Sequence, residues 1–135
     1  MLTRLLYLST KFPKVQMKIK GKRFNMLLAK SSAQKMVGLM YREKIGQDEG
    51  MLFVFSSAGR WKIWMLNMRF PIDVLWLDEY GKVVHIKQNI SPCKSIFSCP
   101  SFAPGKGARY VIELRAGAAS TLGVAPGDVF EVPKW

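Results

Sequence analysis

The sequence has one histidine, His85, two cysteines, Cys93 and Cys99, and nine acidic residues against 21 lysines and arginines. Each shortage removes a class of chemistry. A Ser-His-Asp arrangement needs a histidine beside a nucleophile, and His85 in "KVVHIKQ" has none next to it. A Cys93–His85 pair would lie across an ordinary loop. Two cysteines without a second pair fall short of a zinc ligand set, so no metal is expected. No stretch approaches the ~20 apolar residues of a membrane span. The apolar run Leu5 to Leu8, in the opening "MLTRLLYLSTKFPK", is shorter than the roughly 7–15 residues of a signal-peptide core. The chain is therefore expected to be cytoplasmic, with no integral membrane association. In the absence of a secretion signal, Cys93 and Cys99, which flank "KSIFS", are expected as reduced thiols, although a local disulfide is geometrically allowed. No glycine-rich loop follows a strand into a helix, so nucleotide-dependent activity has no support and no cofactor is expected.

What the chain does hold is apolar and basic. Its 135 residues, 49% of them hydrophobic and 12% aromatic, suffice for one domain with a proper core. The net charge of +12 is uneven: residues 1–44 carry eleven basic residues and one acid, Glu43, whereas residues 45–135 carry ten and eight. That asymmetry suggests a polyanionic partner or a solvated basic face. Residues 1–13 read as an N-terminal extension and 14–135 as a single β-rich domain.

Lys14, Gln16, Lys18, Lys20 and Lys22 alternate with Val15, Met17 and Ile19, which predicts a half-buried strand with lysines outward. Gly21 permits a hairpin turn into "RFNMLLAK", where Phe24, Met26 and Leu28 face inward. Ser31 or Ser32 can cap a helix whose core face is Ala33, Met36, Val37 and Met40. "GMLFVF" predicts a buried strand, "SSAGR" a loop, "WKIWML" and "IDVLWLD" two more strands, and "DEYGK" a hairpin turn. Three prolines and two glycines make Ser91–Gly107 an irregular excursion. In "ARYVIEL", Arg109, Val111 and Glu113 alternate with Tyr110, Ile112 and Leu114. A short helix from Ala116 stops at Gly123, and a last strand runs to Val132. The sum is a β-dominated α+β fold, a small antiparallel curved sheet or barrel with two short helices.

The segment "WMLNMRFPIDVLWL" sets Asn67, Arg69 and Asp73 within the most apolar part of the chain. Asn67 tolerates the dihedrals of a bend, Pro71 extends the residue before it, and Asp73 can accept backbone N–H bonds there, with Arg42 or Arg69 as its cation. That is a structural latch. The functional reading takes Arg42, Trp64, Asn67, Asp73 and Glu113 as converging on one pocket, Arg gripping an anion and Trp stacking on a sugar or base. Asp73 and Glu113 would also be the carboxylates of a weak hydrolase, the least supported reading. Lys14, Lys18, Lys20, Lys22 and Arg23 form a candidate polyanion face for nucleic acid, without aromatic interleaving; a lysine-rich edge strand also guards against aggregation. The expected function is a non-catalytic binding module for an unidentified small ligand, anionic or sugar-like.

Four ordered blocks, "GLMYRE", "GMLFVF", "WMLN" with "PIDVLWLD", and "VIELRAG" with "GVAPGDVFEV", resemble domain-of-unknown-function family 192, also known as uncharacterised protein family 0127. The resemblance runs from about residue 17 to 132. It implies a small β-rich domain and no particular activity. Where the family pattern reads Trp-Met-Lys-Asn-Thr, this chain has Leu66 and Met68 in place of the Lys and Thr.

Overall fold

The computed structural model describes residues 2–134. The alternating lysines form β1 (Lys14–Ile19), paired antiparallel with β2 (Lys22–Ala29) through a turn in which Lys20 and Gly21 both take positive φ. Lysines face outward, while Met17, Ile19, Phe24 and Met26 are buried. Ser31 caps α2 (Ser32–Val37) in a reciprocal arrangement: its hydroxyl accepts from Gln34 N, and Gln34 Oε1 accepts from Ser31 N. α2 and the following turn carry the chain across the sheet. β3 (Glu49–Gly59) therefore lies parallel to β2, where an all-antiparallel sheet was expected.

β4 (Ile63–Trp64), β5 (Ile72–Leu77), β6 (Val83–Ile90), β7 (Ser101–Phe102) and β8 (Ala108–Arg115) follow. The main sheet has the order β1-β2-β3-β8-β5-β6, and β4 pairs with β7 in a small second sheet. The main sheet is curved and stays open, not closed into a barrel. Both faces are covered. Leu28, Leu52, Leu75, Ile112 and Leu114 build one core with α3 (Ala118–Leu122) and Phe130. Met51, Phe53, Val74, Trp76 and Val111 build the other, under Leu39, Met65 and Met68. Every residue of β5 is buried, which explains why "IDVLWL" lacks a polar face.

The structure corrects several expectations. Among the described residues there are three short α-helices; the third is α1 (Leu2–Ser9), ahead of β1, packed against Tyr41 through Tyr7 and Thr3. β3 runs on through "SSAG", because its far end pairs with Ala108 of β8. "WKIWML" yields only a two-residue strand, since Trp61 stacks on Phe55 rather than continuing the ladder. The last strand reduces to a bridge between Lys82 and Val129. Met36 is 58% exposed and not core, because six helical residues turn too little of the face inward. Cys93 and Cys99 form a disulfide where thiols were expected. Their Cα atoms lie 5.0 Å apart across the tight loop, within the span a disulfide bridges. Gly123 ends α3 in the left-handed conformation, as its position predicts.

Candidate functional site

β5 and β8 are antiparallel neighbours, with Asp73 opposite Leu114 and Val74 opposite Glu113. Directly opposed residues share a face, so Asp73 and Glu113 point to opposite sides of the sheet. They are not a carboxylate pair, and their roles separate.

Asp73 is fully buried and hydrogen-bonded entirely to backbone. Opposite it, β6 carries an extra residue, and the bulge leaves the Asn89 N–H without a ladder partner. Asp73 Oδ1 accepts that N–H at 2.9 Å. Oδ2 accepts from Gly117 N at 3.0 Å and Ala119 N at 2.9 Å, at the start of α3. One carboxylate thus ties β5, the β6 bulge and α3 together. Neither Arg42 nor Arg69 serves it: Arg69 pairs with Glu43, and the Arg42 guanidinium lies 5.7 Å from the Phe12 ring centroid. Arg42 Nε is buried without a hydrogen-bond partner.

Asn67 likewise makes its contacts within the fold. It takes φ +60, and its carbonyl accepts from Tyr41 N at 2.9 Å, itself at φ +66. The Asn67 amide reaches Thr3 of α1 and the sulfur of Met40. Two left-handed residues lock the bend at Met40–Arg42 to the one before Met68.

Trp64 and Glu113 border the same cleft. They line a cleft of about 340 Å³ between α2, β3, β4 and β8, within the size range of small-ligand sites. Phe53, Phe55, Leu39 and Val111 contribute its apolar walls, Trp64 its half-exposed lip, and Lys35 and Lys62 its charged groups. Gly38 ends α2 at the wall with φ +49, and a Cβ there would lie 3.3 Å from the Phe53 ring. Glycine answers both constraints. Lys35 Nζ lies 4.3 Å from the Phe55 ring centroid, and partial burial lowers its pKa from the ordinary lysine value.

Glu113 is 5% exposed and has no hydrogen-bond or ion-pair partner among the described residues. Burial pushes its pKa up to about 8, so at neutral pH it stands mostly as a neutral acid able to donate one hydrogen bond. A buried carboxyl left unpaired is costly, and a cleft is where a partner can reach it. Of the pocket residues expected from the sequence, Trp64 and Glu113 line this cleft and Arg42, Asn67 and Asp73 do not, while Lys35, Phe53, Phe55 and Lys62 in its lining were not among those expected. The signal lay in "GMLFVF", where two phenylalanines at alternate positions face the same side as Met51. Leu66 and Met68, the two positions that depart from the resembled pattern, also line the cleft and make it more apolar.

The basic face lies elsewhere. β1 is an edge strand, and Lys14, Lys18, Lys20, Lys22 and Arg23 are all exposed. Lys20 pairs with Asp128 at 3.5 Å, and Lys22 donates to Gln47 O at 3.1 Å. No group of histidine, cysteine or acidic side chains among the described residues is placed to hold a metal. No described helix is long and apolar enough to cross a membrane.

The DUF192 family profile, described as Uncharacterized ACR, COG1430, matches residues 15–132. A UPF0127 protein of Thermococcus gammatolerans is 32% identical over 104 residues, covering 76% of this chain; the chain spans only 62% of that relative's length. Two crystal structures share the fold. A protein of Sinorhizobium meliloti described as a candidate transcription regulator superposes with a TM-score of 0.80 at 31% identity, over 91% of this chain and 96% of the other. A protein of unknown function from Novosphingobium aromaticivorans does so with a TM-score of 0.78 at 28% identity, over 90% and 85%.

Proposed function

The chain belongs to the DUF192 family, and from that premise we propose that it is a binding domain whose ligand enters the cleft above Glu113. The observation that carries this reading is the buried Glu113 carboxyl, unpaired and facing a cleft with aromatic walls. The ligand class that fits is a small organic anion with a flat or aliphatic body. Its body packs between Phe53, Phe55 and Trp64, and one of its oxygens accepts a hydrogen bond from the neutral Glu113 carboxyl. Its charge sits toward Lys35 and Lys62. A cationic ligand meets two lysines at the same site and is disfavoured. No chemical step is needed, since Asp73 faces the other side of the sheet.

The test compares 1-naphthoate with 1-naphthylmethylammonium by two-dimensional NMR titration. Naphthoate is expected to shift resonances around Trp64 and Glu113, and Glu113→Ala to weaken it roughly tenfold. Equal binding of both probes would remove the anion preference and keep the cleft. No shifts at the cleft with either probe would remove the site.

A second reading rests on the exposed lysines of β1 and on the description of the Sinorhizobium relative. In it the β1 edge tracks the phosphates of nucleic acid. Anisotropy of labelled single-stranded RNA and duplex DNA across a salt series tests it. Weak binding without a steep salt slope returns the lysines to the role of an edge guard.

A further inference from the structure

The loop between β6 and β7 carries Phe97, the most exposed large apolar side chain among the described residues. Its disulfide, Cys93–Cys99, closes a short ring whose crown is the single 3-10 turn Ile96–Ser98. At that crown Ile96 is 61% and Phe97 96% exposed. A phenylalanine held almost wholly in water, on a ring already closed covalently, is displayed rather than tucked away.

The chain on either side of it carries charge of one sign. Between Glu79 and Glu113 the sequence has no acidic residue and five basic ones: Lys82, Lys87, Lys94, Lys106 and Arg109. Lys87 and Lys94 line the hollow at the foot of the loop together with Pro92, Pro100 and Phe102. Lys106 is exposed in the turn after β7. No ion pair among the described residues engages Lys87, Lys94 or Lys106.

An apolar tip with lysines at its foot suits a bilayer interface. The tip enters the boundary between headgroups and acyl chains, and the lysines meet anionic headgroups. A folded protein partner is a poorer fit, because two side chains cannot form the core of an interface that typically buries about 800 Å² per partner. The net charge of +12 adds long-range attraction to an anionic surface. We propose that the disulfide-closed loop docks the protein on an anionic lipid surface, with Ile96 and Phe97 inserted and Lys87, Lys94 and Lys106 at the headgroups. This stands independently of what the cleft binds. It does place the two side by side, because β7, which leaves the loop, pairs with β4 and so sets Trp64 at the lip of the cleft.

The experiment is co-sedimentation with vesicles of phosphatidylcholine alone and of phosphatidylcholine with a quarter phosphatidylglycerol, each at low and high salt. Wild-type protein is expected on the anionic vesicles only, with binding that falls as salt rises. The double variant Ile96→Ser, Phe97→Ser should bind about tenfold more weakly, and Lys94→Glu several-fold more weakly. Lys14→Glu with Lys18→Glu, on the far edge of the sheet, should change it little. A separate readout needs no lost binding: Phe97→Trp should add a fluorescence component that shifts to the blue on vesicles and is quenched by brominated acyl chains. The proposal is overturned if neither vesicle retains the protein. Binding insensitive to the loop but lost with the β1 lysines overturns it too, as does a Phe97→Trp emission that lipid leaves unchanged.

Discussion

Asp73 and Glu113 show how differently two buried carboxyls act in one sheet. Asp73 has no substitute for its geometry, because three backbone N–H groups converge on two oxygens. Asp73→Ala is expected to lower stability by roughly 2–4 kcal/mol, the cost of stranding those donors. Asp73→Asn should recover only part of it, since an amide presents a donor where one oxygen stood. Urea unfolding measures both, and a loss below about 0.5 kcal/mol would show that the latch is slack. Glu113 gives the opposite sign. The folded protein holds its proton up to about pH 8, whereas the unfolded chain releases it near 4.5. Through that window the native state binds more protons, so this group's contribution to stability falls as pH rises and is flat below the window. Glu113→Gln should remove that slope and raise stability at pH 7 by roughly 1–3 kcal/mol. Thermal melts at pH 5 and pH 8 check it. Residue types alone do not distinguish these two groups. Alternation in "IDVLWL" and "VIELR" gives parity along each strand, but only the register between β5 and β8 decides which parity faces the cleft. Asn67 and Arg42 look like members of the same pocket in the sequence because a chain position says nothing of the far side of a bend.

At the scale of elements, the parts with strong local chemistry were legible. The lysine alternation of β1, the capping serine of α2 and the glycine stop of α3 each follow from short-range rules and stand where those rules put them. The cleft wall was less so, because it depends on α2 crossing the sheet, and helical spacing made Met36 core when it lies open. The parallel pairing of β2 with β3 was hidden for the same reason: nothing within either strand states the direction of its neighbour. The loop bearing Cys93 and Cys99 offers the prediction at this scale. Its reduction, or Cys93→Ser with Cys99→Ser, should cost about 2 kcal/mol for so short a ring. The damage should spread to β7 and β4, which the ring holds in register, and reach Trp64. Hydrogen exchange at Ile63–Trp64 with and without reductant reads this; unchanged protection there would uncouple the loop from the cleft lip.

For the whole molecule, two cores share one sheet, and neither face is free. The central strands β3 and β8, with β5 beside them, are expected to exchange their amides most slowly, and the 91–107 segment fastest. A uniform rate across both regions would show that the segment belongs to the global unfolding unit. Charge is distributed in the same graded way. The exposed lysines of β1 lie at one end of the strand order, and the acid-free residues 80–112, from before β6 into the first half of β8, occupy the other end and part of the middle.

The strand order also fixes when the fold can form as the chain is made. β8 lies between β3 and β5, yet it leaves the ribosome after both. Until residues 108–115 emerge, β1-β2-β3 and β5-β6 are two separate ribbons, each with an open apolar edge. Synthesis therefore passes through a stage in which most of the chain exists and the sheet does not. A pause before Ala108 prolongs that stage, and a pause after Arg115 does not.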